Sequence, residues 1–168
     1  MLDAMMDDLL EANRSYVSTF GLAGIPARAG KGFALVTCMD RRIEPLTMLG
    51  LAPGDAKILR NAGARVTPDV LRSLVLATRF LDVREIAVMQ HTNCALADVS
   101  DTVVRTRLAA QGTEGVERWE FLAMPDPDAA LAADVDLLRR CGQLPDGVVV
   151  EGWRYDVGTG GIHRIVPS

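Results

Sequence analysis

Short apolar runs alternate along the chain with segments at helical spacing, and this alternation predicts a parallel sheet. Residues 33–37, 56–59 and 85–90 are the apolar runs. The first is apolar on both faces, as in a parallel strand that helices cover on each side. Between the second and third runs, Thr67 begins a helix with a proline and an aspartate in its first turn. The order strand, helix, strand, helix, strand is typical of an α/β fold.

The remaining segments add helices around this unit and a hairpin at the end. Apolar spacing predicts helices over residues 2–20, 95–110 and 129–141. Residues 116–122 are expected to form a further strand, although charges interrupt them. The last two runs, 148–157 and 162–166, flank a Gly-Thr-Gly-Gly turn and predict a hairpin.

Composition narrows the class of protein. The 168 residues fit one domain, predicted to span 1–168, and are 49% hydrophobic and 24% charged. The net charge is −4 and the 18 basic residues are scattered, which argues against a nucleic-acid partner. No apolar run approaches the roughly 18 to 20 residues that cross a bilayer, and the first residues are acidic, unlike a secretory signal. We therefore expect a cytoplasmic protein with no membrane contact.

Metal-binding side chains follow two of the predicted strands. Cys38 ends the first run, and His91 and Cys94 follow the run 85–90. Ligands of open α/β sheets bind beyond the carboxyl ends of the strands, so these three residues are expected to meet. Zinc favours cysteine sulfur and histidine nitrogen, and a catalytic zinc has three protein ligands and one open position. Asp40 and Arg42 add a carboxylate and its ion-pair partner.

These motifs resemble the signature of the beta-class carbonic anhydrases. That signature pairs C-x-D-x-R, here residues 38–42, with H-x-x-C, here residues 91–94. The Arg-Asn-Ala-Gly stretch at 60–63 and residues 152–157 are also similar to the family. The resemblance implies a three-layer α/β/α fold, with a mainly parallel central sheet of four strands plus an added antiparallel C-terminal strand. It also implies a homodimer or higher homo-oligomer, in which helix 2–20 packs on a partner subunit.

The function that the resemblance implies is the reversible hydration of carbon dioxide to bicarbonate, with one Zn²⁺ per chain and attack by zinc-bound hydroxide. Asp40 would accept a hydrogen bond from the hydroxide, and Arg42 would keep Asp40 ionised. In some family members the matching aspartate instead occupies the fourth zinc position. Ala62 and Gly63 are candidates to line a small apolar substrate pocket.

Other interpretations remain open at this point. An enzyme on the same scaffold would hydrolyse carbon disulfide or carbonyl sulfide. A non-catalytic zinc protein is a second alternative, but such a site normally closes its fourth position with another Cys or His. A tyrosine-phosphatase loop fails because its arginine position holds Glu44. The chain also departs from the compact prokaryotic subgroup, which commonly has Asp and Gly where this chain has Asn93 and Ala95.

Overall fold

The computed structural model describes residues 2–168, with side chains from position 5 onward. Met1 and the side chain of Leu2, which belong to the predicted domain and first helix, lie outside the described residues. The elements in chain order are α1 (Leu2–Val17), β1 (Phe33–Cys38), α2 (Pro45–Leu49), β2 (Ala56–Asn61), a 3₁₀ turn (Ala62–Ala64), α3 (Pro68–Phe80), β3 (Glu85–His91), α4 (Asp101–Ala110), α5 (Pro127–Arg139), β4 (Val149–Tyr155) and β5 (Ile162–Val166).

The strands form one sheet in the order β2-β1-β3-β4-β5. The first four are parallel, and β5 pairs antiparallel with β4. The predicted mainly parallel sheet with an added antiparallel C-terminal strand is therefore confirmed. Its register brings the strand ends level, since Cys38 pairs with Asn61 and His91 with Tyr155. One edge of the sheet thus carries the ends of four parallel strands.

The main core lies between the sheet and two helices, α3 and α5. Val36 and Val88 of the sheet pack in one cluster with Leu74 of α3 and Leu131 of α5, and all four are fully buried. Helix α3 begins where the sequence predicts, because the Thr67 side chain accepts a hydrogen bond from the amide of Val70 at 3.3 Å. Each fully buried leucine contributes about 1.5–3 kcal/mol, so these two helices hold the sheet in place.

The opposite face of the sheet is covered less completely. Leu35 and Met89 are buried there beneath α2 and the 3₁₀ turn, but Phe33 and Trp153 are only half-buried, with their rings stacked at 5.9 Å. Every side chain from position 5 to 28 is exposed, including the apolar residues of α1 such as Leu9. None of the helices within residues 2–168 is long and apolar enough to cross a membrane.

Several predicted boundaries are wrong. Residues 116–122 form turns rather than a strand, and β4 is the fourth parallel strand. The cause is that the amides of Phe121 and Ala123 bind the carboxylate of Asp101, at 2.8 and 2.9 Å, instead of a neighbouring strand. The helix predicted over 95–110 begins only at Asp101, α1 ends at Val17, and α5 runs two residues earlier than expected.

Candidate metal centre

The ends of two neighbouring strands bring three potential metal ligands together. Cys38 is the last residue of β1, His91 is the last of β3, and Cys94 lies three residues further on. Their sulfur and nitrogen atoms all lie within 4.8 Å of one another. Two sulfurs that share one tetrahedral zinc lie about 3.8 Å apart. The group is therefore close to the size that a single ion requires.

The imidazole of His91 is oriented as a metal ligand would be. Its Nδ1 lies 2.8 Å from the carbonyl oxygen of Thr92, so in the neutral ring Nδ1 donates and Nε2 keeps its lone pair. Nε2 is buried and has no hydrogen-bond partner among the described residues. Thr92 is itself held, because its amide donates to Tyr155 and its hydroxyl accepts from the amide of Val157. The residues present thus fit a metal ion.

The two thiols of the cluster shift each other's pKa in opposite directions. A hydrogen bond from Cys94 lowers the pKa of Cys38, and the backbone of Gly63 lowers it further. The same hydrogen bond raises the pKa of Cys94 above its usual range. Burial acts to lower the pKa of His91, but the neighbouring Cys38 sulfur outweighs burial and raises it. The lowered pKa favours the thiolate form of Cys38, which is the form that binds a metal ion.

Asp40 and Arg42 form a two-point ion pair beside this cluster. Arg42 Nε and Nη2 donate to the two carboxylate oxygens of Asp40, at 2.8 and 2.7 Å. These bonds hold the pKa of Asp40 well below its usual range. Asp40 Oδ2 lies 3.9 Å from His91 Nε2, so the carboxylate faces the candidate metal position. Arg42 Nη2 also donates to the carbonyl of Asn93 at 3.1 Å and so joins the two loops of the site.

Arg60 supports the same loop, a role that the sequence analysis missed. Its guanidinium donates to the carbonyl of Cys38 at 3.0 Å and to that of Asp40 at 2.7 Å. The amide of Met39 donates to the carbonyl of Asn61 at 2.9 Å. Pairing of β2 with β1 places Arg60 next to Thr37. The feature of the sequence that could have indicated this role is the position of Arg60 at the end of a predicted strand.

A small cavity of about 190 Å³ opens onto the cluster. Its walls contain the three clustered residues and Asp40, and otherwise small or apolar residues: Met39, Ala62, Gly63, Ala95 and Leu96. Ala62 and Gly63 thus lie in the wall of the cavity, where the sequence analysis expected them, while Met39 and Leu96 were not anticipated. His163 and Arg41 are exposed and lie outside this wall.

Comparison with known proteins identifies the family. The model of the carbonic anhydrase family matches residues 33–119, which include all five residues of the two motifs. Beta-carbonic anhydrase 1 of Mycobacterium tuberculosis is 32% identical over 162 residues, which cover 96% of this chain and 98% of that protein. The chain belongs to the β-carbonic anhydrase family.

Relatives of this chain are named for two different reactions. A carbon disulfide hydrolase from Acidianus is 31% identical over 154 residues, covering 78% of this chain and 74% of that enzyme. The crystal structure of carbonic anhydrase from Streptococcus mutans superimposes with a TM-score of 0.86 at 36% identity, covering 95% of this chain and 96% of the other. The fold is therefore that of a β-carbonic anhydrase, and the family contains enzymes that act on more than one substrate.

Proposed function

We propose that this protein catalyses the reversible hydration of carbon dioxide to bicarbonate. One Zn²⁺ per chain would be held by Cys38, His91 and Cys94. The observation that carries the proposal is the grouping of these three ligand atoms within 4.8 Å of one another, with the carboxylate of Asp40 3.9 Å from the unpartnered His91 Nε2. A catalytic zinc site usually has three protein ligands, and a neighbouring carboxylate can accept a hydrogen bond from the attacking water; this arrangement offers both.

When bound, zinc acts as a Lewis acid that makes water more acidic. The protein's own contribution begins at Asp40. Because Arg42 lowers the pKa of Asp40, the carboxylate stays ionised and accepts a hydrogen bond from the attacking water. Arg42 fixes the direction of this acceptor by holding both oxygens. The water is thereby oriented toward the apolar wall of the cavity, where carbon dioxide would lie.

The pairing with Arg42 also supports an open fourth position at the metal. Both carboxylate oxygens of Asp40 already accept from the guanidinium, and Asp40 Oδ1 accepts in addition from the amide of Arg42 at 2.9 Å. Asp40 would have to give up part of this network to bind the metal itself. If Cys38, His91 and Cys94 held a zinc ion, Asp40 would therefore remain paired with Arg42 and would not join them as a further ligand.

Metal analysis combined with activity tests the proposal directly. Purified protein should contain one zinc per chain, and stopped-flow assays should show accelerated carbon dioxide hydration that increases toward alkaline pH. A Cys38→Ser variant should lose both the metal and the activity, whereas a Cys141→Ser variant, changed at a cysteine outside the site, should lose neither. Zinc-loaded protein that leaves hydration at the uncatalysed rate from pH 7 to 9 would contradict the assignment.

Hydrolysis of carbon disulfide or carbonyl sulfide is the second candidate function. Its support is the similarity to the Acidianus carbon disulfide hydrolase, which spans most of this chain. The same cavity would admit any of these linear triatomic molecules, since its volume is about 190 Å³ and its walls are mostly apolar. Parallel assays of the same preparation with carbon dioxide, carbon disulfide and carbonyl sulfide decide between the candidates by the ratio of their kcat/KM values.

We also propose that residues 1–168 form one domain that assembles as a homodimer or higher homo-oligomer. Leu9, Leu10 and neighbouring apolar side chains of α1 are exposed, and the sheet face that carries Phe33 and Trp153 is only half-covered. Such surfaces normally mark an interface. The α1 helix of one copy would cover this face of another. Light scattering should show a dimer or larger species that Leu9→Glu weakens. The cytoplasmic location stays a prediction from the sequence.

A further inference from the structure

A buried ion pair begins at the residue that follows the 3₁₀ turn 62–64, two residues of which line the cavity. Arg65 Nε and Nη2 donate to the two oxygens of Asp134 on α5, at 2.6 and 3.2 Å. Only 12% of the Arg65 side chain and 7% of the Asp134 side chain are exposed. Arg65 directly follows the 3₁₀ turn 62–64, so the pair connects the turn to the helix on the other side of the sheet.

The backbone of Arg65 forms the exit of the 62–64 turn. Its amide donates to Oδ1 of Asn61 at 3.0 Å, and its carbonyl accepts from Nδ2 of Asn61 at 2.7 Å, so the Asn61 side chain closes the 62–64 turn. Inside the turn, Ala64 has a φ of 58°, a conformation that disfavours a residue with a side chain. The turn therefore depends on the groups that fasten its exit.

The third bond of the Arg65 guanidinium reaches the 121–124 segment, which contacts another part of the cavity wall. Nη1 donates to the carbonyl of Leu122 at 2.7 Å, and Leu122 also has a positive φ, of 54°. Two residues later, the amide of Met124 donates to the carbonyl of Leu96 at 2.7 Å. Leu96 lines the cavity. Arg65 thus holds the 121–124 segment that supports this wall.

The two walls meet at Gly63. A Cβ atom placed on Gly63 would lie 3.3 Å from the Leu96 side chain and 3.4 Å from that of Met124, so these groups are already in close packing. Gly63 also lines the cavity together with Cys38. A shift of either wall would therefore change the space beside the metal ligands.

We infer that Arg65 is a positioning residue for the metal pocket, because its side chain fastens the exit of the 62–64 turn to the 121–124 segment and to Asp134. This inference rests on the metal site of the proposed function. Arg65 lies outside the cavity wall, and its side-chain hydrogen bonds go to Asp134 and Leu122. It acts through the turn and through Leu96.

The test replaces the pair without leaving a buried charge. In the double variant Arg65→Met/Asp134→Leu, both groups become apolar, so the variant is expected to fold. The matched control is Arg154→Met, which removes a different ion pair to α5, that of Arg154 with Asp128 at 2.8 Å. Each protein is loaded with Co²⁺ in place of zinc and titrated with thiocyanate, a linear triatomic anion, while the visible spectrum is recorded.

The expected result is a change in the pocket with the metal retained. The double variant should bind one Co²⁺ with the same visible bands, but its thiocyanate Kd should rise about tenfold, within the roughly hundredfold that a 1 Å displacement can cost. The control should stay within about twofold of wild type, since it leaves both walls intact. A thiocyanate Kd that is unchanged in the double variant overturns the inference.

Amide hydrogen exchange gives a second readout that needs no metal. In the protein as purified, the amides of Gly63 and Met124 should exchange faster in the double variant than in wild type or in Arg154→Met, while the amides of β1 keep their protection. Equal protection of Gly63 and Met124 in all three proteins would also overturn the inference. Neither readout uses carbon dioxide, so a failure of carbon dioxide hydration would count against the proposed function alone.

Discussion

Two arginine–aspartate pairs in this protein have nearly the same geometry and very different surroundings. Arg42 and Asp40 are two residues apart in sequence, and their side chains are 42% and 21% exposed. Arg65 and Asp134 are 69 residues apart, and theirs are 12% and 7% exposed. Each arginine also donates to a backbone carbonyl, that of Asn93 in one pair and that of Leu122 in the other. The two pairs therefore have similar hydrogen bonds but differ in how far their side chains are exposed to solvent.

The difference in exposure predicts a difference in use. An ion pair near solvent adds little to stability, with a median of about 0–1 kcal/mol. A carboxylate placed there is available to a substrate or to water, and Asp40 faces the candidate metal position. A buried pair is costly to break, because removal of one partner leaves an unpaired charge in the protein interior. The Arg65 pair should therefore affect folding and pocket shape, and the Arg42 pair should affect catalysis.

Breaking the buried pair from one side should have the largest effect on stability. Arg65→Met leaves the Asp134 carboxylate buried without its partner and should lower the free energy of unfolding by about 3–5 kcal/mol. Urea denaturation followed by circular dichroism measures the loss. Arg154→Met is the control, since Asp128 is mainly exposed and can be solvated when its partner is removed. A loss below about 1 kcal/mol in Arg65→Met would show that the buried pair behaves like the exposed one.

The exposed pair should show the reverse pattern, with a large effect on turnover and a small one on stability. Asp40→Asn keeps the shape of the side chain but weakens the acceptor for the attacking water, so kcat should fall roughly hundredfold or more. The free energy of unfolding should change by about 1 kcal/mol or less. Zinc content should stay at one per chain.

The control for this variant is Asp69→Asn, which alters an exposed pair with Arg72 on α3. Asp69 is exposed and is not part of the cavity wall, so the activity of this variant should match wild type. If Asp40→Asn kept full turnover with its zinc in place, Asp40 would have no role in proton handling. The structural-zinc interpretation would then gain support.

The contrast between the pairs also explains what the sequence could and could not predict. Cys38, Asp40 and Arg42 are close in sequence at a strand end, so their chemistry is visible in the local pattern. The partnership of Arg65 with Asp134 is not visible, because it joins residues 69 positions apart through the packing of α5 on the sheet. The sheet itself follows from apolar periodicity.

The error at residues 116–122 has the same origin as the missed ion pair. Apolar residues there suggested a strand, but the amides of Phe121 and Ala123 bind a side chain, that of Asp101. Burial acts to raise the pKa of Asp101, and these amides outweigh burial and lower it. A side-chain carboxylate that replaces a strand partner leaves no periodic signal in the sequence.

Removing the arginine of the exposed pair should change the titration of Asp40. Arg42 lowers the pKa of Asp40, so in Arg42→Met the pKa should rise toward the ordinary value of about 3.9. A carboxyl group whose pKa is lower in the folded than in the unfolded protein stabilises the fold at pH values above its unfolded pKa. That stabilisation is lost as the pH falls toward the folded-state pKa. The wild type should therefore lose more stability than Arg42→Met between about pH 5 and pH 3.

Carbon-13 NMR of the Asp40 carboxyl in metal-free protein measures this shift, and urea denaturation at both pH values measures its effect on stability. Arg72→Met is the matched control, because it removes an arginine from an exposed pair outside the site and should leave the titration of Asp40 unchanged. An Asp40 pKa that is the same in Arg42→Met and wild type would mean that Arg42 does not keep the carboxylate ionised.

Replacing both members of the buried pair should have the smallest effect on stability. In Arg65→Met/Asp134→Leu no charge is left unpaired, so the free energy of unfolding should lie within about 1 kcal/mol of wild type or above it. The single variants Arg65→Met and Asp134→Leu complete a double-mutant cycle, whose coupling energy should approach in magnitude the sum of the losses seen in the two single variants. A double variant as unstable as Arg65→Met would mean that the attraction between the two charges exceeds the free-energy cost of burying them, so that the pair stabilises the fold. If the double variant is stable while its thiocyanate affinity falls, Arg65 acts on the pocket through its geometry and not through the stability of the fold.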